Sequence, residues 1–302
     1  MADGDASLAG RPRCSAEARR LGDPLAGTAS HVRNWLLLEQ PGAWGIDPLF
    51  DSRLPGPVAR ALHERAHGLK IRLILIRRPD RRPDGLNVFL AHTGGTRTRP
   101  ALFRGVVDDP ASLLDLDLRP LHAGKPVGFG ERIEGPLFLV CTNGRHDVCC
   151  AERGRPVFRA LAGEFPERTW ECSHIGGDRF AGNVVCFPHG IYYGWVEPAE
   201  APALARAYER GRLDLRRYRG RSSWPVEIQA AEHALRERLG LVSVGDLMPV
   251  RRVAGGNGVV EVTFQDGSGN QHAVRIGPAA REPRYLTCRA EAPTVPRAFE
   301  VH

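Results

Sequence analysis

An order of apolar runs that occurs twice along the chain narrows its possible folds more than any other feature. Asn34-Trp-Leu-Leu-Leu-Glu39 reads as a strand, Val58-Ala-Arg-Ala-Leu-His63 as helix, Ile71–Ile76 and Leu86–Leu90 as strands, and Ala111–Leu114 as a further helical stretch. The second half repeats the order. Leu137–Val140 is a strand, and Pro156–Leu161 is a short helix with proline near its start, where a missing N–H does no harm. Trp170–Cys172, Val184–Phe187 and Ile191–Val196 follow as strands, the last two joined by the turn Pro188-His-Gly190, and Ala203–Tyr208 closes as helix. Two β-α-β-β-α passes predict an α/β chain, with helices layered on sheet, and point to an internal duplication.

A different pattern follows. Pro225–Leu239 has helical spacing with Gly240 as its stop, and Val259–Phe264 and Ala273–Ile276 alternate around Asp266-Gly-Ser-Gly-Asn270. Arg284–Cys288 is expected to add a third strand to a small antiparallel sheet. The expected organisation is an N-terminal segment (1–30), a first half (31–132), a second half (133–222) and an α+β appendage (223–302).

Thiols divide the two passes, because residues 31–132 contain no cysteine. Cys141 and Cys150 flank one polar loop, and His174-Ile-Gly-Gly-Asp178 supplies a second. Two loops at one sheet end, each offering two donors, suit a two-iron cluster, in which each iron needs two protein ligands. Cys149 is the alternate to Cys150, and Cys172 the alternate to Asp178. A Cys149–Cys150 disulfide is disfavoured, since adjacent Cα atoms lie only about 3.8 Å apart. Cys14, Cys186 and Cys288 read as small buried thiols without chemistry. His146 and His189 read as turn residues, either of which is placed to hydrogen-bond near the cluster.

The runs Cys141-Thr-Asn-Gly-Arg-His-Asp-Val-Cys-Cys150, Cys172-Ser-His-Ile-Gly-Gly-Asp-Arg-Phe-Ala-Gly-Asn183 and Pro188-His-Gly-Ile-Tyr-Tyr-Gly194 resemble the sucrase/ferredoxin-like family, a branch of the thioredoxin-like 2Fe-2S ferredoxins. The resemblance implies a thioredoxin-like fold, in two tandem halves of which the first is degenerate, and a bound 2Fe-2S cluster serving electron transfer. The family's ligands are two cysteines in this spacing and a His-x-x-x-His turn. Cys141, Cys150 and His174 match; Asp178 stands where the second histidine would be, which leaves Asp178 or Cys172 as the fourth ligand. The resemblance implies an electron carrier or redox sensor, not a sucrase, for nothing here resembles a paired-carboxylate glycosidase site. Two other readings stay open. A thioredoxin-like thiol oxidoreductase lacks its usual C-x-x-C pair here. A zinc-bound structural or interaction module would also be satisfied by two cysteines, a histidine and an aspartate.

Composition narrows the setting. At 302 residues and 42% hydrophobic, the chain has enough apolar surface for two or three compact units. No run approaches the roughly 20 apolar residues of a membrane helix. The first thirty residues lack an apolar signal core, and seven cysteines do not make an even disulfide framework, so a reducing cytoplasm is expected. The net charge of +7 comes almost wholly from arginine scattered without a recognition motif, so nucleic acid is not an expected partner. Arg145, Arg153, Arg155 and Arg179 flank the cluster loops, either as solvated surface or to steer an acidic redox partner whose identity is unknown. His63-Glu-Arg-Ala-His67 matches the H-E-x-x-H zinc pattern but has no third ligand in sequence, and is expected to be a solvated helix face.

Overall fold

In the computed structural model, which describes residues 11–79 and 84–302, the repeated order becomes one mixed sheet of ten strands. The first ten residues of the expected N-terminal segment lie outside the described residues; helix α1 (Cys14–Arg20) opens the rest. The first half runs β1 (Asn34–Glu39), α2 (Pro48–Asp51), α3 (Gly56–Gly68), β2 (Ile71–Arg77), β3 (Leu86–His92), β4 (Ala101–Val107) and β5 (Glu131–Arg132). The second runs β6 (Leu137–Cys141), α4 (Val148–Glu164), β7 (Thr169–Cys172), β8 (Val184–Phe187), β9 (Ile191–Tyr193), α5 (Ala201–Glu209) and β10 (Tyr218–Arg221). Helix α6 (Val226–Leu239) then leads to β11 (Leu247–Ala254), β12 (Val260–Asp266), β13 (Gln271–Pro278) and β14 (Phe299–Val301), a separate antiparallel sheet of four strands.

The large sheet has the order β10-β9-β8-β6-β7-β2-β1-β3-β4-β5. In each half the first two strands run parallel, the third is antiparallel to the first, and the fourth antiparallel to the third. The halves meet where β2 pairs antiparallel with β7, through Ile76↔Cys172 and Arg77↔Glu171, so the same topology occurs on both sides of that seam. The position read as a boundary at 132/133 falls between β5 and β6, and that at 222/223 between β10 and α6.

Strand periodicity sorts the core. Trp35, Leu37, Leu139, Cys141, Trp170 and Cys172 face one side and share a core that runs across both halves. Their neighbours Leu36, Leu38, Phe138 and Val140 face the other side, where α3 covers one half and α4 and α5 cover the other. Covered on both faces, β1 and β6 carry unbroken buried runs.

Several expected elements are corrected. The helix expected at Pro156–Leu161 begins at Val148, because Asp147 caps it: its Oδ1 accepts the Cys149 N–H at 2.9 Å. Cys149 and Cys150 therefore sit in its first turn, and Pro156 lies in its interior. Ala111–Leu114 is only a 3-10 turn, for Leu113 is its sole buried residue and no apolar stripe exists to prolong it. The strand expected to reach Val196 stops at Tyr193, two residues before Trp195 adopts φ +52°. Arg284–Cys288 is not a strand. Arg284 makes a single bridge with Thr294, and the Cys288 N–H is taken by Asp147 Oδ2 at 2.6 Å instead of by a neighbouring ladder.

Candidate metal centre

Cys141 ends β6 directly beside Cys172, which ends β7, in parallel register. Helix α4 returns over β6 and lays its first turn against that strand end. Gly154 makes the approach possible, since a Cβ there would collide with the Cys141 carbonyl oxygen. Cys150 consequently faces Cys141, and the sulfurs of both and a ring nitrogen of His174 lie within 4.8 Å of one another.

The second loop follows β7. Gly176 and Gly177 hold φ values of +95° and +83°, which turn the chain sharply enough to bring Asp178 back beneath His174. Asp178 is 2% exposed and serves both loops: its Oδ1 is 3.0 Å from His174 Nδ1 and accepts from Cys150 Sγ at 3.2 Å. His146, from the first loop, stacks on His174 with ring centroids 3.7 Å apart and places Nε2 3.8 Å from Asp178 Oδ2. Two donor groups thus share His174: Cys141 and Cys150 on the buried side, His146 and Asp178 on the other.

A buried cation braces the turn. Arg219, on β10 and 1% exposed, donates from Nη1 to Asn183 Oδ1 at 2.7 Å and to the Gly176 carbonyl at 3.1 Å. Asn183 in turn donates to the Gly177 carbonyl and accepts the Cys141 N–H. Ser30 and Tyr192 hydroxyls hold the Ile175 carbonyl, and Arg72 holds that of His174.

The electrostatics favour a positive occupant. Hydrogen bonds from Cys150 and Cys172, then from His174, hold the Cys141 thiol well below its ordinary range despite burial. Burial acts to lower the His174 pKa, but hydrogen bonds to Asp178 and Cys141 outweigh it and raise the ring to about 9. A thiolate and a carboxylate converging on one imidazole make a soft, anionic pocket suited to iron or zinc. Thr142 Oγ1 and Asn143 Nδ2, both in the cysteine loop, are buried with no hydrogen-bond partner among the described residues. Orphan donors beside the thiols fit a cofactor with acceptor sulfides, and the ligand set fits a 2Fe-2S cluster.

The structure therefore brings Cys141, Cys150, His174 and Asp178 together, with Cys172 against Cys141, and turns Cys149 away from them toward Cys14 and Cys288. His146 reads from the sequence as a turn residue placed to hydrogen-bond near the site, and Asn183 only as the end of the run Cys172–Asn183. Arg219 carries no local signal, because β10 and the turn meet only in the fold. His189 lies elsewhere, with Nδ1 2.7 Å from Tyr208 Oη, and burial lowers its pKa to about 4. Arg179 is not a surface arginine, since it pairs with buried Asp23 at 3.1 Å. Arg145, Arg153 and Arg155 are exposed.

His63 and His67 are exposed on α3 with their rings 6.2 Å apart, and among the described residues they join no group of three donors. They line, with Ile46, Leu73, His146 and His174, an open cleft of about 550 Å³ that leads to the centre. His63→Ala and Glu64→Ala are expected to leave metal content unchanged, because two helical donors are too few for a stable zinc. Metal analysis of the two variants checks this, and a lost equivalent of zinc in either would contradict it.

The protein named altered inheritance of mitochondria protein 32 from Saccharomyces cerevisiae is 32% identical over 108 residues, covering 30% of this chain and 35% of the relative. Its counterpart from Meyerozyma guilliermondii is 31% identical over 99 residues, with 29% and 35% covered. This chain thus spans about a third of the length of the curated relatives it matches. Among solved structures, a thioredoxin-like 2Fe-2S ferredoxin from Aquifex aeolicus aligns at 20% identity over 31% of this chain and 97% of its own, with a TM-score of 0.28. A cysteine-to-serine variant of that ferredoxin aligns at 22% identity over 28% and 96%, with a TM-score of 0.25. The sucrase/ferredoxin-like family model matches residues 25–220, a span that takes in both passes of the large sheet and all four converging donors, and the chain belongs to that family.

Proposed function

We propose that this protein holds a 2Fe-2S cluster and passes single electrons between partner proteins. The observation that carries the reading is the convergence of two donor loops at one sheet end, Cys141 with Cys150 and His174 with Asp178. Cys141 and Cys150 would hold one side, and His174, which lines the cleft, with buried Asp178 against it, the other. When bound, the cluster supplies one-electron chemistry. The protein's own residues shape the rest: Arg219 offsets negative charge near the loops, and Thr142 and Asn143 offer donors to sulfur. Arg145, Arg153 and Arg155, exposed near the centre, would favour an acidic redox partner. No helix of the described residues is long and apolar enough to cross a membrane. A cytoplasmic setting is part of the proposal.

Protein purified anaerobically from iron-replete cells should contain about two irons and two sulfides per chain, with visible absorption. Cys141→Ser and Cys150→Ser should each abolish both the absorption and the sulfide. Wild-type protein without sulfide or visible absorption overturns the reading.

The fourth donor sets the potential. With Asp178 ionised and His174 neutral, two thiolates and one carboxylate around an oxidised core of about +2 give a net charge near −1; histidine at 178 would bring it near zero. A more negative centre resists an added electron. Asp178→His is therefore expected to raise the reduction potential by roughly 100–300 mV, the scale on which neutral donors replacing anionic ones shift such clusters. It should also add a second proton-linked step to the dependence of potential on pH. An unaltered potential in Asp178→Ala, with cluster loss in Cys172→Ala, would instead assign the fourth bond to Cys172.

A further inference from the structure

We propose that Cys14, Cys149 and Cys288, with Asp147, form a structural zinc site distinct from the cluster loops. The three sulfurs form a nearly regular triangle, with edges of 3.7 Å (Cys14–Cys149), 3.4 Å (Cys149–Cys288) and 3.5 Å (Cys288–Cys14). Zinc–sulfur bonds of about 2.3 Å at tetrahedral angles require edges near 3.8 Å, so one ion fits with little movement. The Asp147 carboxylate oxygens are 3.7 and 3.9 Å from Cys14 Sγ, and all four donors fall within 4.8 Å of one another. A multi-iron cluster would spread these thiolates over several metals; sulfurs at contact distance suit a single ion. Three thiolates select a soft metal over calcium or magnesium.

The donors come from three separate parts of the chain. Cys14 opens α1, Cys149 lies in the first turn of α4, and Cys288 belongs to the segment after β13, 274 residues from Cys14. Cys14 and Cys149 are each 1% exposed, and all three are free thiols. Asp147 orients two of them, its Oδ1 accepting the Cys149 N–H and its Oδ2 the Cys288 N–H. Adjacent helical residues point to different sides, so Cys149 serves this site while Cys150 serves the cluster loops, and no donor is shared. Binding forms three zinc–sulfur bonds and releases three thiol protons, with the Asp147 carboxylate closing the tetrahedron. The ion would tie both ends of the chain to the helical turn that presents Cys150.

The test uses the full chain purified anaerobically without chelator from cells supplied with zinc and iron. About one zinc per chain is expected, beyond any iron. Cys14→Ser and Cys288→Ser should each lose at least nine-tenths of the zinc yet keep visible absorption, whereas Cys141→Ser should lose the absorption and keep the zinc. Cys288→Ser alters a partly exposed segment and carries the test if Cys14→Ser does not fold. The proposal is overturned by wild-type protein free of zinc, by a zinc-free chain whose mass is short by two hydrogens through a disulfide among these thiols, or by zinc that disappears in Cys141→Ser but persists in both other variants. Iron and sulfide report on the cluster and zinc on this site, so the two proposals fail separately.

Discussion

Gly154→Ala is expected to lose most of the iron of the proposed cluster and about 3 kcal/mol of stability, the upper end of what overpacking costs. Alanine is the better helix former by up to about 1 kcal/mol, and propensity alone would predict a gain. The tertiary contact reverses the sign. The new methyl would collide with the Cys141 carbonyl oxygen, a backbone atom that the sheet cannot release, so α4 must move. Moving α4 carries Cys150 away from Cys141 and breaks the pairing of the donors. Gly163→Ala, in the same helix with open space around it, is the control and should be neutral or slightly stabilising. Iron per chain and urea midpoints of both variants check the argument; wild-type iron and midpoint in Gly154→Ala would show that α4 is free to shift.

Glu232→Ala is expected to destabilise the protein by about 3–5 kcal/mol, because it strands buried positive charge. Glu232 is fully buried on α6. Its Oε1 meets Arg236 Nε at 2.9 Å and Arg221 Nη2 at 3.2 Å, and its Oε2 accepts from Tyr218 Oη at 2.6 Å. Tyr218 and Arg221 lie on β10, so this carboxylate joins α6 to the edge of the large sheet. Burial acts to raise the Glu232 pKa, but Arg236 and Arg221 outweigh it and leave it below its ordinary value. Stability from the network is then fully present above the unfolded glutamate pKa, about 4.3, and is lost as pH falls through the lower folded value. Denaturation of wild type and Glu232→Ala between pH 7 and pH 3 should show their midpoints converging only at the acid end. Equal midpoints at pH 7 would remove the network from the stability account.

Local pattern settled much of this molecule. Buried strands such as Asn34–Glu39 and Val184–Phe187 have the bounds their apolar runs predict, since a strand covered on both faces takes apolar side chains at nearly every position. The cysteine spacing and the double glycine at 176 and 177 marked two donor loops, because ligand type and turn chemistry are short-range properties. Strand β4 has no clear apolar signature, as Arg104 and Gly105 interrupt its apolar residues, and pairing with β3 and β5 holds it extended. The family-like spacing favours Cys150 over Cys149, but which of the two thiols reaches Cys141 is a matter of the fold. Adjacent residues are separated by about 100° around a helix, and which direction meets Cys141 depends on how closely Gly154 lets α4 approach β6. The pairing of β2 with β7, the guanidinium of Arg219 beneath the histidine turn, and the meeting of Cys14 with Cys288 all join residues far apart in the chain. Such contacts leave no periodic trace in either segment, and close packing of the whole chain alone decides them.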